Sequence, residues 1–341
     1  AVEKSSPPQA KGRQRRRGLL AAATPERGFA EQIPLPGAPA PSRAAQLVSH
    51  NLLGYRLRVK SLGGDRGVVF PYHLCQPDNQ KSCAACCGLY NYRDSSRAGL
   101  ERRLRRHTSC LRPPRPLDGA AFRSYARRFR PRENGRAKLF PTIYNCEFVG
   151  FLDRSETTVG CLLHPSQRHG DDWRRLSFHG GSLCADHFCL SYSYLTCQEQ
   201  ETVILGVDDW YLYGLVITDI DLVKTYCRHL NDRLGYTFVA RLIEHPLLKE
   251  VVHRFFALKI NWPFRAPEPN RFGKYRFSDE SYQEAFIDYE RFGLRGSPYD
   301  AIFRSLGSEF AAGDEVRDAH RLIDSHLERF LTTYESLPLR S

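Results

Sequence analysis

The strongest pattern lies at the end of the chain. From Asp314 to Leu337, Val316, Ala319, Leu322, Ile323, Leu327, Phe330, Leu331 and Tyr334 recur at three- and four-residue intervals, the period of a helix with one apolar face. That face predicts a packing partner. Asp219 to Leu234 sets Ile220, Val223, Tyr226, Leu230 and Leu234 near one face, with Asp219 and Asp221 where a helix is capped. Phe238 to Ile260 reads as helical with a bend or restart at Pro246. Ser278-Asp279-Glu280 predicts the start of a helix that carries Tyr282, Phe286 and Ile287 and stops near Gly293. Leu100 and Leu104, one turn apart, predict a further helix from Arg97 to Thr108. One segment has the other period: Leu53, Tyr55, Leu57 and Val59 alternate with Arg56, Arg58 and Lys60, which suits a half-buried strand within Asn51 to Phe70.

These elements predict a mainly α protein, with little β in an irregular cysteine-rich domain that is followed by a helical one. At 341 residues, two domains are expected. Residues 1–45, rich in Pro, Ala, Arg and Ser, bury too little apolar surface to offset ordering entropy and read as a disordered basic tail. Residues 46–200 then form the cysteine-rich domain with an Arg-rich insertion, and residues 201–341 the helical one. The longest apolar stretch, Val203 to Ile217, is interrupted by Asp208 and Asp209 and falls short of the ~18 residues that a membrane span requires.

Charge is unevenly placed. The net charge is +12, but residues 1–140 carry 28 Lys and Arg against 9 Asp and Glu, leaving the remainder acidic. Between Arg97 and Lys138 stand 14 basic residues against Glu101, Asp118 and Glu133. Tyr125, Phe129 and Phe140 are interleaved there with Arg127, Arg128 and Arg130, a mixture able to clamp phosphates and stack bases. A solvated basic face, or one that docks on acidic protein surface, is the plainer account. No nucleic-acid module signature accompanies it.

The chain has 11 cysteines, a high number whose meaning depends on compartment. A secretory leader needs at least ~7 continuous apolar residues after its basic start, and Gly18 to Ala23 supplies fewer before Thr24-Pro25. The expectation is therefore a cytoplasmic protein, where cysteines serve as metal ligands or free thiols rather than disulfides. In Cys83-Ala84-Ala85-Cys86-Cys87, two cysteines two residues apart can turn both sulfurs toward one metal, and Cys87 offers a third. Cys146, Cys161, Cys184 and Cys189 follow, with Cys161 and His164, and Cys184 and His187, repeating the two-residue separation. The alternative is a set of buried thiols. Cys110, Cys197 and Cys227 lack paired spacing and read as such, and His164 and His187 read as loop or core histidines.

The run Cys-x2-Cys-Cys, then Cys146-Glu147-Phe148, Gly160-Cys161-Leu162-Leu163-His164-Pro165 and Cys184, resembles the YkgJ-type family of zinc- or iron-chelating cysteine-cluster proteins over about Cys83 to Cys189. The family usually carries a further cysteine where this chain has Gln80, and Cys75 is the nearest substitute. The segment between Cys161 and Cys184 is longer than usual, so Cys189 competes with Cys184. The resemblance implies a metal-binding protein holding an iron-sulfur cluster or zinc. Through a related flagellin lysine methylase it weakly implies a metal-dependent modifying enzyme. The candidate ligands are Cys75, Cys83, Cys86, Cys87, Cys146, Cys161, Cys184 and Cys189, of which Cys83, Cys86, Cys87, Cys146 and Cys161 are expected in one centre. Their number exceeds the four that one structural zinc takes, which favours iron-sulfur or more than one metal. A nucleic-acid-binding protein with a structural metal is the remaining alternative. Asp208-Asp209 and Asp219 with Asp221 have the look of paired carboxylates for acid-base or divalent-metal chemistry, but Asp219 and Asp221 sit where a helix starts, so capping is the simpler account, and Gly63-Gly64 and Gly180-Gly181 read as turns.

Overall fold

The computed structural model describes residues 73–112, 118–267, 275–278, 281–284 and 286–338. The tail over 1–45, the strand expected within Asn51 to Phe70 and the turn at Gly63-Gly64 lie outside the described residues. The fold is mainly helical. Helices α1 (Arg97–Leu111) and α2 (Gly119–Asn134) precede a two-stranded antiparallel sheet of β1 (Val149–Phe151) and β2 (Val159–Cys161), with Val149 opposite Cys161. Next come short α3 (Gly180–Asp186) and α4 (Ser191–Tyr194), then α5 (Cys197–Gly206), α6 (Trp210–Ile217), α7 (Ile220–Leu234) and α8 (Pro246–Asn261). A hairpin of β3 (Tyr275–Ser278) and β4 (Ser281–Glu284), short α9 (Asp300–Ser305) and the long α10 (Gly313–Ser336) complete the order.

The long apolar run becomes two helices because Asp209 interrupts it. Its carboxylate accepts the amides of Tyr211 (3.0 Å) and Leu212 (3.1 Å), which caps α6, and every residue of α6 is buried. A helix that is apolar all round belongs inside a fold. The predicted stripe of α10 faces inward through Val316, Ala319, Ile323, Leu327, Phe330 and Tyr334. Its partners are α7 and α8, whose Tyr226, Leu230, Phe255 and Phe256 share the same core. The expected restart at Pro246 is present: a 3-10 turn over Ala240–Glu244 precedes α8, which begins with the proline.

Asp219 caps α7 at the Leu222 amide (3.2 Å). Its other oxygen takes the buried Lys259 ammonium of α8 at 2.5 Å, and Ser305 Oγ of α9 donates to Oδ1 at 2.9 Å. One carboxylate thus fastens three helices.

Two expectations change. The helix from Ser278-Asp279-Glu280 does not form; instead Tyr275 lies opposite Glu284 and Ser278 opposite Ser281 in the β3–β4 hairpin. Tyr275, Phe277 and Tyr282 alternate with polar residues, and that period of two outweighs the capping signal. Gly180-Gly181 opens α3 rather than forming only a turn, with Gly180 at φ 75°.

The cysteine-rich segment packs directly on α6. Tyr90 OH donates to the Trp210 carbonyl (3.1 Å), Tyr211 OH to that of Ser95 (2.8 Å) and Tyr213 OH to that of Leu74 (2.8 Å). A Cβ at position 214 would overlap the Tyr90 ring and hydroxyl, so Gly214 makes this contact possible. No helix among the described residues is long and apolar enough to cross a membrane.

Candidate metal centre

The cysteine turn is built by glycine and asparagine. Two 3-10 turns, Ala85–Cys87 and Leu89–Asn91, are joined by Gly88 at φ 75°. A Cβ there would overlap the Tyr144 carbonyl and lie 2.9 Å from Asn145 Cα. This close approach lets Cys146 N–H donate to the Cys87 carbonyl at 2.9 Å. Buried Asn91 fixes the incoming segment: its amide donates to the carbonyls of Phe140 and Ile143 (both 3.1 Å) and to Asn145 Oδ1 (2.9 Å).

From the other side, α2 holds the segment around Cys146. Asn134 Nδ2 donates to the Asn145 carbonyl (3.1 Å), Tyr125 OH to that of Glu147 (2.9 Å) and Arg130 Nε to the buried Glu147 carboxylate (2.9 Å), which also accepts Tyr144 OH. Of the three arginines expected on one surface, Arg127 and Arg128 are exposed and Arg130 turns to Glu147. The basic section has other internal uses. Arg106 pairs with the buried Glu133, Arg105 with Glu156 (2.7 Å), and Arg97 with Glu101 (3.1 Å) and Asp209 (2.9 Å).

The eight candidate cysteines are electrostatic neighbours in two overlapping groups. In the first, Cys83 N–H donates to the Cys75 carbonyl (2.8 Å), and Cys83 Sγ accepts the Ala85 amide at 3.5 Å. Tyr192 of α4 reaches this turn, its hydroxyl lying 3.8 Å from Cys75 Sγ and 2.9 Å from His73 Nδ1. Tyr192 N–H donates to the Cys189 carbonyl (3.1 Å), so the same residue links Cys75 to Cys189. Burial pushes the Cys75 thiol up, and Cys86 and Cys189 push it further; burial likewise raises Cys83, with Cys75, Cys189 and Cys86 among its neighbours.

The second set contains Cys87, Cys146, Cys161 and Cys184. Cys87 and Cys161 pack against one apolar cluster that includes buried Cys146. Cys161 ends β2, and Cys184 Sγ lies 3.1 Å from Ser177 Oγ. Burial raises Cys146, with Cys161 and Cys184 adding to it, and brings Cys161 to about 11, with Cys184 contributing. Cys86 and Cys87 join the sets. The Cys87 thiol is hydrogen-bonded to Cys86, which holds Cys86 below the usual thiol range and raises Cys87, where Cys146 and Cys161 also act. Cys86 has neighbours in both groups, Cys75, Cys83 and Cys189 in one and Cys87 and Cys184 in the other.

As the side chains stand, no three His, Cys, Asp or Glu side chains among the described residues converge on a point suited to a metal ion. The donor set nonetheless fits a thiophilic cation. Burial and mutual repulsion favour the protonated form of every thiol in the set but Cys86, and a cation would reverse that preference.

The remaining residues stand apart. Cys227 is buried in the helical core beside Glu199 and Thr202, Cys197 opens α5 beside Glu201, and Cys110 is exposed on α1. None of the 11 cysteines is in a disulfide. His164 accepts the Ser166 amide at 3.2 Å and caps a short turn; burial lowers the pKa of His187. Tyr192 and Ser177 carry no sequence signal for their contacts with cysteines, whereas Gly88, directly after a cysteine pair, does. No family model matches the chain, and neither a curated protein nor a solved structure matches it.

Proposed function

We propose that this is a metal-binding protein in which Cys75, Cys83, Cys86, Cys87, Cys146, Cys161, Cys184 and Cys189 hold zinc or an iron-sulfur cluster, in a structural or redox role in the reducing cytosol. One observation carries the reading: these eight cysteines come from distant parts of the chain and become electrostatic neighbours, while the three without paired spacing do not join them. Burying thiols beside one another brings no obvious packing advantage over aliphatic residues, but metal thiolate bonds can contribute on the order of ten kcal/mol to folding. Bound zinc would supply a structural cross-link, and a bound iron-sulfur cluster an electron-transfer group.

The resemblance to the YkgJ-type family supports the same reading and belongs to the proposal. A modifying enzyme would need a substrate cavity beside the thiols. Two surface hollows, one around Tyr289 and Asp300 and the other around Val251 and His326, are lined by no cysteine, so the enzymatic alternative gains nothing from them.

The test is metal analysis with a visible spectrum on the anaerobically purified full chain. Zinc, or iron with sulfide and charge-transfer absorption, is the expected result. A full chain that carries neither and takes up neither on reconstitution would overturn the proposal.

A further inference from the structure

We infer that the outer face of α2, with Arg123, Arg127, Arg128 and Arg132, docks the phosphodiester backbone of double-stranded nucleic acid. This goes beyond the metal-binding reading and does not depend on it. The cysteine segment is held by other residues of α2, Tyr125, Arg130 and Asn134, which bind the chain around Cys146.

Helical spacing builds the face. Phe122, Tyr125, Ala126, Phe129 and Glu133 recur at three- and four-residue intervals and are buried, which turns the four arginines outward, and all four are exposed. The ion pairs of this basic section take Arg97, Arg102, Arg105, Arg106, Arg130 and Arg136, and among the described residues none takes any of the four. The two carboxylates of the helix are engaged elsewhere: Asp118 caps it at the Ala121 amide (2.8 Å), and buried Glu133 holds Arg106, Arg136 and Tyr92 OH. Positive charge is crowded at one edge of the face. The guanidinium carbons of Arg106, Arg128 and Arg132 lie 5.7, 5.5 and 5.6 Å from the centre of the Phe129 ring, one side of which Tyr125 covers by stacking at 4.3 Å. Next to them Arg103 of α1 stacks on Tyr92 at 4.1 Å, with its Nε buried and without a hydrogen-bond partner. Burial above all, with the charge of Arg136, lowers the pKa of Arg103. An anion laid along the face relieves this repulsion.

The form of the face selects the partner. Guanidinium groups match phosphate oxygens through their fork of donors. At ~1.5 Å of rise per residue, the stretch from Arg123 to Arg132 covers about 13 Å, over which one strand of a duplex presents about four phosphates. A protein partner needs an apolar centre to its contact. The large apolar side chains exposed among the described residues, such as Phe178, Leu190, Leu247 and Phe286, all lie outside α1 and α2. Single strands need aromatic platforms for their bases. Tyr125, Phe129 and Phe140, interleaved with the arginines in the sequence, are only 8%, 6% and 4% exposed, so the expected stacking of bases is not available to them. What remains is the backbone of a duplex, bound without base readout.

The test titrates a fluorescent, mixed-sequence duplex with the full chain over a range of KCl concentrations, with DNA and RNA duplexes as separate arms. For the unaltered chain, log affinity should fall linearly with log salt. Changing Arg123, Arg127, Arg128 and Arg132 together to Gln should reduce that slope by about three to four, and each pair, R123Q with R127Q or R128Q with R132Q, by about two. A charge-matched variant with Arg241, Arg254, Arg317 and Arg321 changed to Gln, all exposed and on other elements, should keep the original slope. Thermal unfolding checks that each variant is folded. Metal content should be the same in all of them, so a chain without metal that still binds duplex in this way leaves the inference standing. Binding of either duplex with this pattern supports it, and the tighter arm identifies the nucleic acid. No binding at low salt, or a slope that the quadruple variant retains, overturns it. So does tighter binding to a single strand of the same sequence. Equal affinity for polyglutamate, with the same response to the variants, would assign the face to acidic protein and also overturn it.

Discussion

Gly88 and Gly235 adopt nearly the same left-handed conformation, at φ 75° and 76°, yet they do different work. Gly235 ends α7 with open space where a side chain would begin, so alanine there carries only the conformational penalty, about 1–2 kcal/mol. At Gly88 the same penalty is joined by overlap with backbone at Tyr144 and Asn145, which cannot give way without moving Cys146. Gly88→Ala should therefore lower the denaturant midpoint much more than Gly235→Ala and should also reduce bound metal; equal effects would show that the close approach does not matter. The spacing of Cys83, Cys86 and Cys87 is readable as a ligand motif from sequence. That Cys86 and Cys87 face different neighbours is not, because it depends on chain segments about sixty and a hundred residues away that no local pattern specifies.

Among the elements, α7, α8 and α10 were legible because a single apolar stripe repeats without competition. Helix α2 was not: its buried Phe122, Tyr125, Ala126 and Phe129 have helical spacing, but arginines between them made the segment read as a charged face. The helix supplies Glu133, fully buried against Tyr92 OH (2.7 Å), Arg106, His107 and Arg136. Burial alone would raise this carboxyl, but the His107 ring 3.5 Å away, the hydrogen bond from Tyr92 and the charge of Arg106 hold it at about 2. Because the folded value lies below the ordinary 4.5, its stabilisation is complete above that pH and lost as pH falls toward 2. Acid titration of stability should show this loss, on the order of 3 kcal/mol, and Glu133→Gln should flatten it within that window. An unchanged acid limb in the variant would contradict the assignment. The buried pair of Lys259 and Asp219 allows a parallel test by chemical denaturation. Lys259→Ala strands a buried carboxylate and should cost about 3–5 kcal/mol, whereas an effect below about 1 kcal/mol would mean that the three-helix junction does not depend on it.

At the scale of the whole molecule, the cysteines occupy the junctions between cores. Cys83 packs against the helical core and against the cluster around Tyr90 and Trp210; Cys87 packs against that same cluster and the one around Phe122 and Phe148. Their thiols therefore stand where three apolar regions meet, a position from which metal loss would loosen several elements at once. The charge asymmetry of the sequence is expressed locally, since Arg97 from the basic section binds Asp209 at the start of α6, while Arg106 and Arg130 are taken by the buried carboxylates of Glu133 and Glu147. Composition alone could not distinguish those arginines from the exposed Arg127 and Arg128, because pairing is decided by tertiary contacts.

The central claim, that these eight cysteines and not the other three hold metal, is tested most directly by residue-resolved thiol alkylation of the full chain, before and after treatment with a strong chelator. With metal bound, exposed Cys110 should react while Cys75, Cys83, Cys86, Cys87, Cys146, Cys161, Cys184 and Cys189 are protected, although Cys86 is itself exposed in the protein fold. Chelation should release all eight without changing Cys110. Labelling of Cys86 at the same rate with and without chelator, together with unchanged protection of the other seven, would contradict the account.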